Sequence, residues 1–147
     1  MARYVARVRT PMSPEEAFGF LADFRTFAEW DPNVLSSVQV AGDGPGIGAA
    51  YDVTVDNRGR EVTLRYEIDD HRPPQRVRIV GRSRRFVSID VVDIAASGTG
   101  AVVTYGATLR LRGPLVIADP LLRRTFRRLG DAASEGLVRA LRGEIAS

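Results

Sequence analysis

The stretch from Gly113 to Arg142 constrains the fold more than any other. It reads GPLVIADPLLRRTFRRLGDAASEGLVRALR, and Leu115, Ala118, Leu122, Phe126, Leu129, Ala133, Leu137 and Leu141 recur at intervals of three or four. That period lays one apolar stripe along a helix. Arg123, Arg124, Arg127 and Arg128 fall mainly off the stripe. At roughly 1.5 Å per residue, about 28 residues span on the order of 40 Å. A one-sided apolar helix of that length needs a broad surface to lie on.

The preceding residues read as the strands that supply it. In residues 2–10, Tyr4, Ala6 and Val8 alternate with Arg3, Arg7 and Arg9, a half-buried strand that Pro11 ends. Ser13-Pro14-Glu15-Glu16 then opens a helix. Ser13 is placed to cap Glu16, and Pro14 sits where a missing N–H costs nothing. Asp23 is the cap of a second short helix through Phe24, Phe27 and Trp30, which Asp31-Pro32-Asn33 breaks. Six strands follow, around Val34–Val40, Tyr51–Val55, Val62–Ile68, Val77–Ile79, Phe86–Ile94 and Val103–Leu111. Turns such as Asn57-Arg58-Gly59 join them into an antiparallel meander with one apolar face. The loop Gly42–Gly48 lacks the Lys-Ser/Thr of a phosphate loop and opens no helix, so it reads as a hairpin connection.

Composition narrows the function classes. A chain of 147 residues predicts one domain, residues 1–147. No apolar run approaches the ~18 residues of a membrane span, and MARYVARVRTP has no apolar signal core. A cytoplasmic protein without membrane insertion is the expectation. The absence of cysteine excludes disulfides, thiolate metal sites and a cysteine nucleophile. All 21 basic residues are arginine. Residues 114–142 hold six Arg against Asp119, Asp131 and Glu135, so the net charge of +3 sits wholly on the terminal helix. Pairs such as Asp119–Arg123 and Arg127–Asp131 predict a solvated face with helix ion pairs. No aromatic interleaving marks a nucleic-acid surface, so no nucleic acid is expected as a partner.

The order of elements and three local stretches resemble the START-like (SRPBCC) superfamily with the helix-grip fold, in its polyketide cyclase/dehydrase branch. The first stretch is Thr10-Pro11-Met12-Ser13-Pro14-Glu15-Glu16-Ala17-Phe18, with Trp30-Asp31-Pro32 after it. The second is Leu64-Arg65-Tyr66-Glu67-Ile68 running into Pro73-Pro74-Gln75-Arg76-Val77. The third runs from Val103-Thr104-Tyr105 through Gly113-Pro114-Leu115 to Asp119-Pro120-Leu121-Leu122-Arg123-Arg124. The resemblance implies an α+β fold in which a curved antiparallel sheet of about seven strands, in β-α-α-β6-α order, grips the C-terminal helix around an apolar cavity. It also implies a hydrophobic small-molecule ligand, polyketide-, lipid- or aromatic-like.

The candidates for chemistry are few. His71, the one histidine, stands beside Arg72-Pro73-Pro74 and is expected in an exposed loop. Alone it makes no multi-histidine metal site, and neither a metal nor a cofactor is expected. Tyr51, Tyr66 and Tyr105 share the apolar phase of their strands. For Asp90 two registers are open. If Val87, Ile89 and Val91 point inward, Ser88 and Asp90 face solvent. If Phe86, Val92 and Ile94 point inward, Ser88 and Asp90 enter the cavity, where a carboxylate suits acid/base work. The solvent-facing register is the expectation, and Asp90 is a catalytic candidate under the other. Tyr66, Tyr105 and Asp90 form the catalytic set. Trp30, Tyr51, Leu64, Tyr66, Phe86, Tyr105, Leu122, Phe126, Leu129 and Ala133 form the ligand-binding set. Asp31 and Asn33 lie with Trp30 where the resemblance puts the cavity mouth.

The sequence leaves three functions open: a cyclase/dehydrase working by proton transfer, a non-catalytic carrier or sensor of a hydrophobic ligand, and a peripheral binder of anionic membrane or nucleic acid through the arginine face. It also leaves monomer and homodimer open. Small residues at Gly130, Ala132, Ala133 and Gly136 predict a helix packed tightly at both ends and loosely in the middle, and Asp119-Pro120 predicts a kink.

Overall fold

In a computed structural model of the chain, residues 2–57, 59–112 and 120–146 are described. The first strand, β1 (Ala2–Thr10), is followed by α1 (Pro14–Leu21), a 3₁₀ turn at Phe24–Thr26 and the single-turn α2 (Phe27–Trp30). The meander runs through β2 (Val34–Ala41), β3 (Ala50–Asn57), β4 (Arg60–Arg72), β5 (Arg76–Arg82), β6 (Phe86–Ser97) and β7 (Gly100–Leu111). The long helix α3 (Pro120–Ala140) and a short strand β8 (Glu144–Ile145) end it. The strands form one sheet in the order β2-β3-β4-β5-β6-β7-β1-β8, every neighbouring pair antiparallel. This is the expected α+β helix-grip architecture. β8 makes eight strands rather than about seven; two residues are too few for a period to reveal.

Local chemistry sets the element boundaries. The Glu16 amide donates to Ser13 Oγ at 3.1 Å, and the Arg25 amide donates to Asp23 Oδ1 at 3.2 Å. Both caps thus satisfy amides that the helix starts leave free. The Gly59 amide donates to Asp56 Oδ1 at 2.9 Å, and Gly59 has φ +81°. The β3–β4 hairpin therefore closes on a residue suited to the left-handed region.

α3 rests on β1 and α2. At its C-terminal end Leu137 and Leu141 are fully buried. The expected loose middle holds in part, since Gly130 and Ala133 line a void, but two glycines in it are closely approached. A Cβ on Gly136 would lie 1.6 Å from the Trp30 carbonyl oxygen, and one on Gly130 would lie 2.3 Å from the Tyr4 ring. The small residues are there because other groups occupy the space a side chain would need. The expected tight packing at both ends is corrected, since Leu129 is 41% exposed and Phe126 only half-buried. The kink, the Asp119 cap and the start at Gly113-Pro114 fall outside the described residues. So does the expectation for the Leu122 side chain.

The arginine face is in water: Arg123, Arg124, Arg127 and Arg128 are exposed. The expected Arg127–Asp131 pair is replaced, because Asp131 Oδ1 accepts a hydrogen bond from the Tyr4 hydroxyl at 3.1 Å. Asp119–Arg123 lies outside the described residues. Among those residues no helix is long and apolar enough to cross a membrane.

Candidate functional site

Between the concave face of the sheet and α3 lies a cavity of about 140 Å³. The sheet and α2 line it with Phe27, Asp31, Asn33, Val34, Val53, Val55, Tyr66, Ser88, Asp90, Tyr105 and Ala107. Tyr4 of β1 and Phe126, Leu129, Gly130 and Ala133 of α3 close it.

The phase of β6 decides the polar content. Asp90 pairs with Ile79 on one side and Ala107 on the other, and Val92 pairs with Val77 and Tyr105. Asp90, Val92 and Ile94 are buried, while Val87, Ile89 and Val91 are only half-buried. The expected solvent-facing Asp90 is thus corrected: the carboxyl is 5% exposed and points inward. Asp90 goes inward because its neighbours on β5 and β7 have their apolar phase there. Tyr105 donates its hydroxyl proton to Asp90 Oδ2 at 2.6 Å. Two positions along β7 from Ala107, Tyr105 is held from the other side by Trp30, whose ring meets it edge-on at 5.3 Å.

Tyr66 is placed by a missing side chain. It pairs with Gly81, and a Cβ there would lie 2.8 Å from the Tyr66 ring. The ring therefore lies over Gly81 and extends toward β6, into the cavity. In the α2–β2 turn, Asp31 Oδ1 accepts from the Asn33 amide at 2.9 Å and from Asn33 Nδ2 at 2.8 Å. Asn33 Nδ2 also donates to the Leu129 carbonyl at 3.1 Å, tying the α2–β2 turn to α3.

Burial sets the electrostatics. Loss of hydration pushes the Asp90 carboxyl up to about 7, with the Asp31 charge adding to the rise and hydrogen bonds from Tyr105 and Ser88 opposing it. Asp31 is raised for the same first reason, against the bonds from Asn33. Tyr66 and Tyr105 are both raised, first by burial and then by the nearby Asp90. The phenols therefore stay protonated at neutral pH and can donate, while Asp90 is poised to exchange a proton.

Of the expected set, Tyr66, Tyr105, Asp90, Phe126, Leu129 and Ala133 meet in this cavity. Trp30, Tyr51, Leu64 and Phe86 are not in its lining. Trp30 is 2% exposed and stacked on Phe27 at 5.0 Å, a support for Tyr105. Tyr51 is fully buried beside Phe24, ring to ring at 6.0 Å. It shares the inward phase but sits on the other side of Tyr66 from β6. Leu64 is packed at the edge of the core. Phe86 is half-buried at the start of β6, opposite Leu111.

His71 is corrected too. It is half-buried on β4, with its ring 5.4 Å from that of Phe18. The register shift between Ile68 and Asp70 turns it inward, opposite Val77. Sequence reasoning missed Tyr4 as part of the wall; its shared phase with Ala6 and Val8 was the available signal. Among the described residues no group of three or more His, Asp or Glu converges as a metal site would require.

A curved sheet gripping one long helix has counterparts among known proteins. Residues 1–142 match the family described as "Polyketide cyclase / dehydrase and lipid transport". The chain belongs to that family. No curated protein matches it in sequence. Its fold is similar to that of a START superfamily protein from Mycobacterium smegmatis, with TM-score 0.78 and 12% identity over 97% of this chain and 98% of that one. It is also similar to a protein of Thermus thermophilus, with TM-score 0.73 and 22% identity over 95% of this chain and 93% of that one. A third similar structure is the di-domain ARO/CYC StfQ of the steffimycin biosynthetic pathway. There the TM-score is 0.71 and the identity 15%, over 94% of this chain and 48% of that one.

Proposed function

We propose that this protein binds a hydrophobic small molecule, polyketide-, lipid- or aromatic-like, between sheet and α3, and acts on it by proton transfer as a cyclase/dehydrase. The observation that carries the reading is the buried Tyr105–Asp90 hydrogen bond of 2.6 Å inside an otherwise mostly apolar cavity. A carrier of apolar ligands has no need of a buried carboxyl, which is costly to keep.

In this reading the Asp90 carboxylate takes a proton from a carbon next to a carbonyl. The electron pair moves onto the carbonyl oxygen, and the Tyr66 hydroxyl hydrogen-bonds the oxyanion. The enolate carbon attacks a second carbonyl of the same chain, forming a carbon–carbon bond, and that oxygen takes the proton from Asp90. Asp90 then takes a further proton from the carbon beside the new carbinol and passes it to the departing hydroxyl, so that water leaves and a carbon–carbon double bond forms. Tyr105 orients the carboxyl. The apolar walls hold the chain folded, so much of the acceleration comes from positioning.

Size supports the carrier reading as a second one only for small ligands. A cavity near 150 Å³ holds about one benzene ring. A larger molecule fits only when Phe126 and Leu129 swing outward, and their exposure leaves that route open.

The test uses 1-indanone in D₂O. Binding with exchange of its α-protons, lost in Asp90→Asn by about 100-fold or more at little change in Kd, is the expected result. Binding without exchange above the buffer rate leaves a carrier. No binding of indanone or of related neutral aromatics sinks the cavity reading altogether.

A further inference from the structure

Tyr4 and Phe126 line the cavity and also one side of a second recess, of about 200 Å³. The rest of that recess is Ala2, Arg3, Arg123 and Arg127. Arg123 and Arg127 are four apart, so they share a face of α3 and bracket Phe126. All three arginines are exposed, and among the described residues none of them forms an ion pair. Asp119, the acid four residues before Arg123, is outside those residues. Asp131, one turn after Arg127, is engaged by Tyr4. The chain's net charge of +3 is therefore concentrated on the helix that forms this rim.

The interior has the opposite character. Asp31 and Asp90 are 7% and 5% exposed, and an anion brought between them would be repelled. A negative rim-seeking group and an apolar body are thus sorted by the same wall.

We propose that the ligand of this cavity is an amphiphile with one anionic end, a carboxylate or a phosphate. That end rests in the Arg3–Arg123–Arg127 recess, and the apolar body passes between Tyr4 and Phe126. The inference rests on the cavity reading above and adds the ligand's charge and orientation to it. Guanidinium groups suit the task because they bind either oxyanion in bidentate fashion and stay charged at all working pH. They also attract the ligand from solution before it docks.

The test compares 4-butylbenzoate, 4-butylphenyl phosphate and the neutral 4-butylbenzyl alcohol by calorimetry on the full chain. At least one anion is expected to bind about tenfold tighter than the alcohol, with the preference shrinking severalfold between about 50 and about 500 mM salt. In the double variant R123Q/R127Q the ratio of affinities falls to near one, whereas R139Q, which removes an exposed charge in the last turn of α3, keeps it. A benzoate preference identifies a carboxylate-bearing ligand, and a phosphate preference a phosphorylated one. Alcohol binding equal to that of both anions overturns the proposal while leaving the cavity reading standing. A preference that survives in R123Q/R127Q does the same. Failure of all three probes to bind overturns both.

Discussion

Asp90 is the residue where burial and chemistry conflict most. Its carboxyl titrates near 7 in the folded chain and near 3.9 in an unfolded one. Between those values the folded state holds the proton and the unfolded state does not. Stability therefore falls as pH rises from about 4 to about 7 and levels off above. The size of the loss is up to about 4 kcal/mol, since each unit is about 1.4 kcal/mol. Asp90→Asn is expected to flatten this slope and to raise stability at pH 8, read by urea melts at intervals from pH 5 to pH 8. A variant whose melts track the parent at every pH would contradict the burial argument. Tyr105→Phe acts in the other direction. It strips the carboxylate of the 2.6 Å donor, and at pH 8 a loss of about 1–3 kcal/mol is expected in the same melts.

At the scale of elements, α3 shows how a weak helix sequence becomes a well-seated helix. Gly to Ala in a helix interior ordinarily stabilises by about 1 kcal/mol. Here the sign reverses. At Gly136 the new methyl meets the Trp30 backbone carbonyl, which cannot rotate away; at Gly130 it meets the Tyr4 ring, which can turn. Gly136→Ala is expected to lower the melting temperature markedly, and Gly130→Ala to lower it less while shrinking the cavity. The two ends of the helix differ as well. Leu137→Ala removes a fully buried side chain and should cost about 2–5 kcal/mol. Leu129→Ala, at the 41% exposed rim, should cost well under half as much. Equal losses at the two leucines, measured by denaturant midpoints, would mean the rim is as tightly packed as the far end.

For the whole molecule, one apolar cluster links Val8 of β1, Phe18 and Leu21 of α1, Trp30 of α2, Val77 and Ile79 of β5, and Leu137 of α3. A cluster that touches so many elements makes their unfolding cooperative. Trp30 is the chain's one tryptophan, so its fluorescence reports the junction of α2, α3 and β7. Its urea midpoint is expected to coincide with that of far-UV circular dichroism. Separate midpoints would show that α3 leaves the sheet before the sheet unfolds.

Much of this was legible in the residues. Alternation in Val62–Ile68 and Val103–Leu111, the Ser13 and Asp23 caps, and the three-and-four spacing of Leu129, Ala133, Leu137 and Leu141 reflect local geometry that repeats along the chain. Element type and inward phase follow from it, and together they define a sheet that grips a helix. What remained open depended on contacts between distant residues. The strand Phe86–Ile94 is apolar on both faces, so only its pairing with β5 and β7 could send Asp90 inward. Tyr51, Tyr66 and Tyr105 share a phase, yet phase says nothing of position across a curved sheet, and only the latter two reach the cavity. The gap left by Gly130 and Gly136 was visible as absent side chains. That Tyr4 and the Trp30 carbonyl fill it was decided by packing, because two surfaces must meet before either can be said to have room.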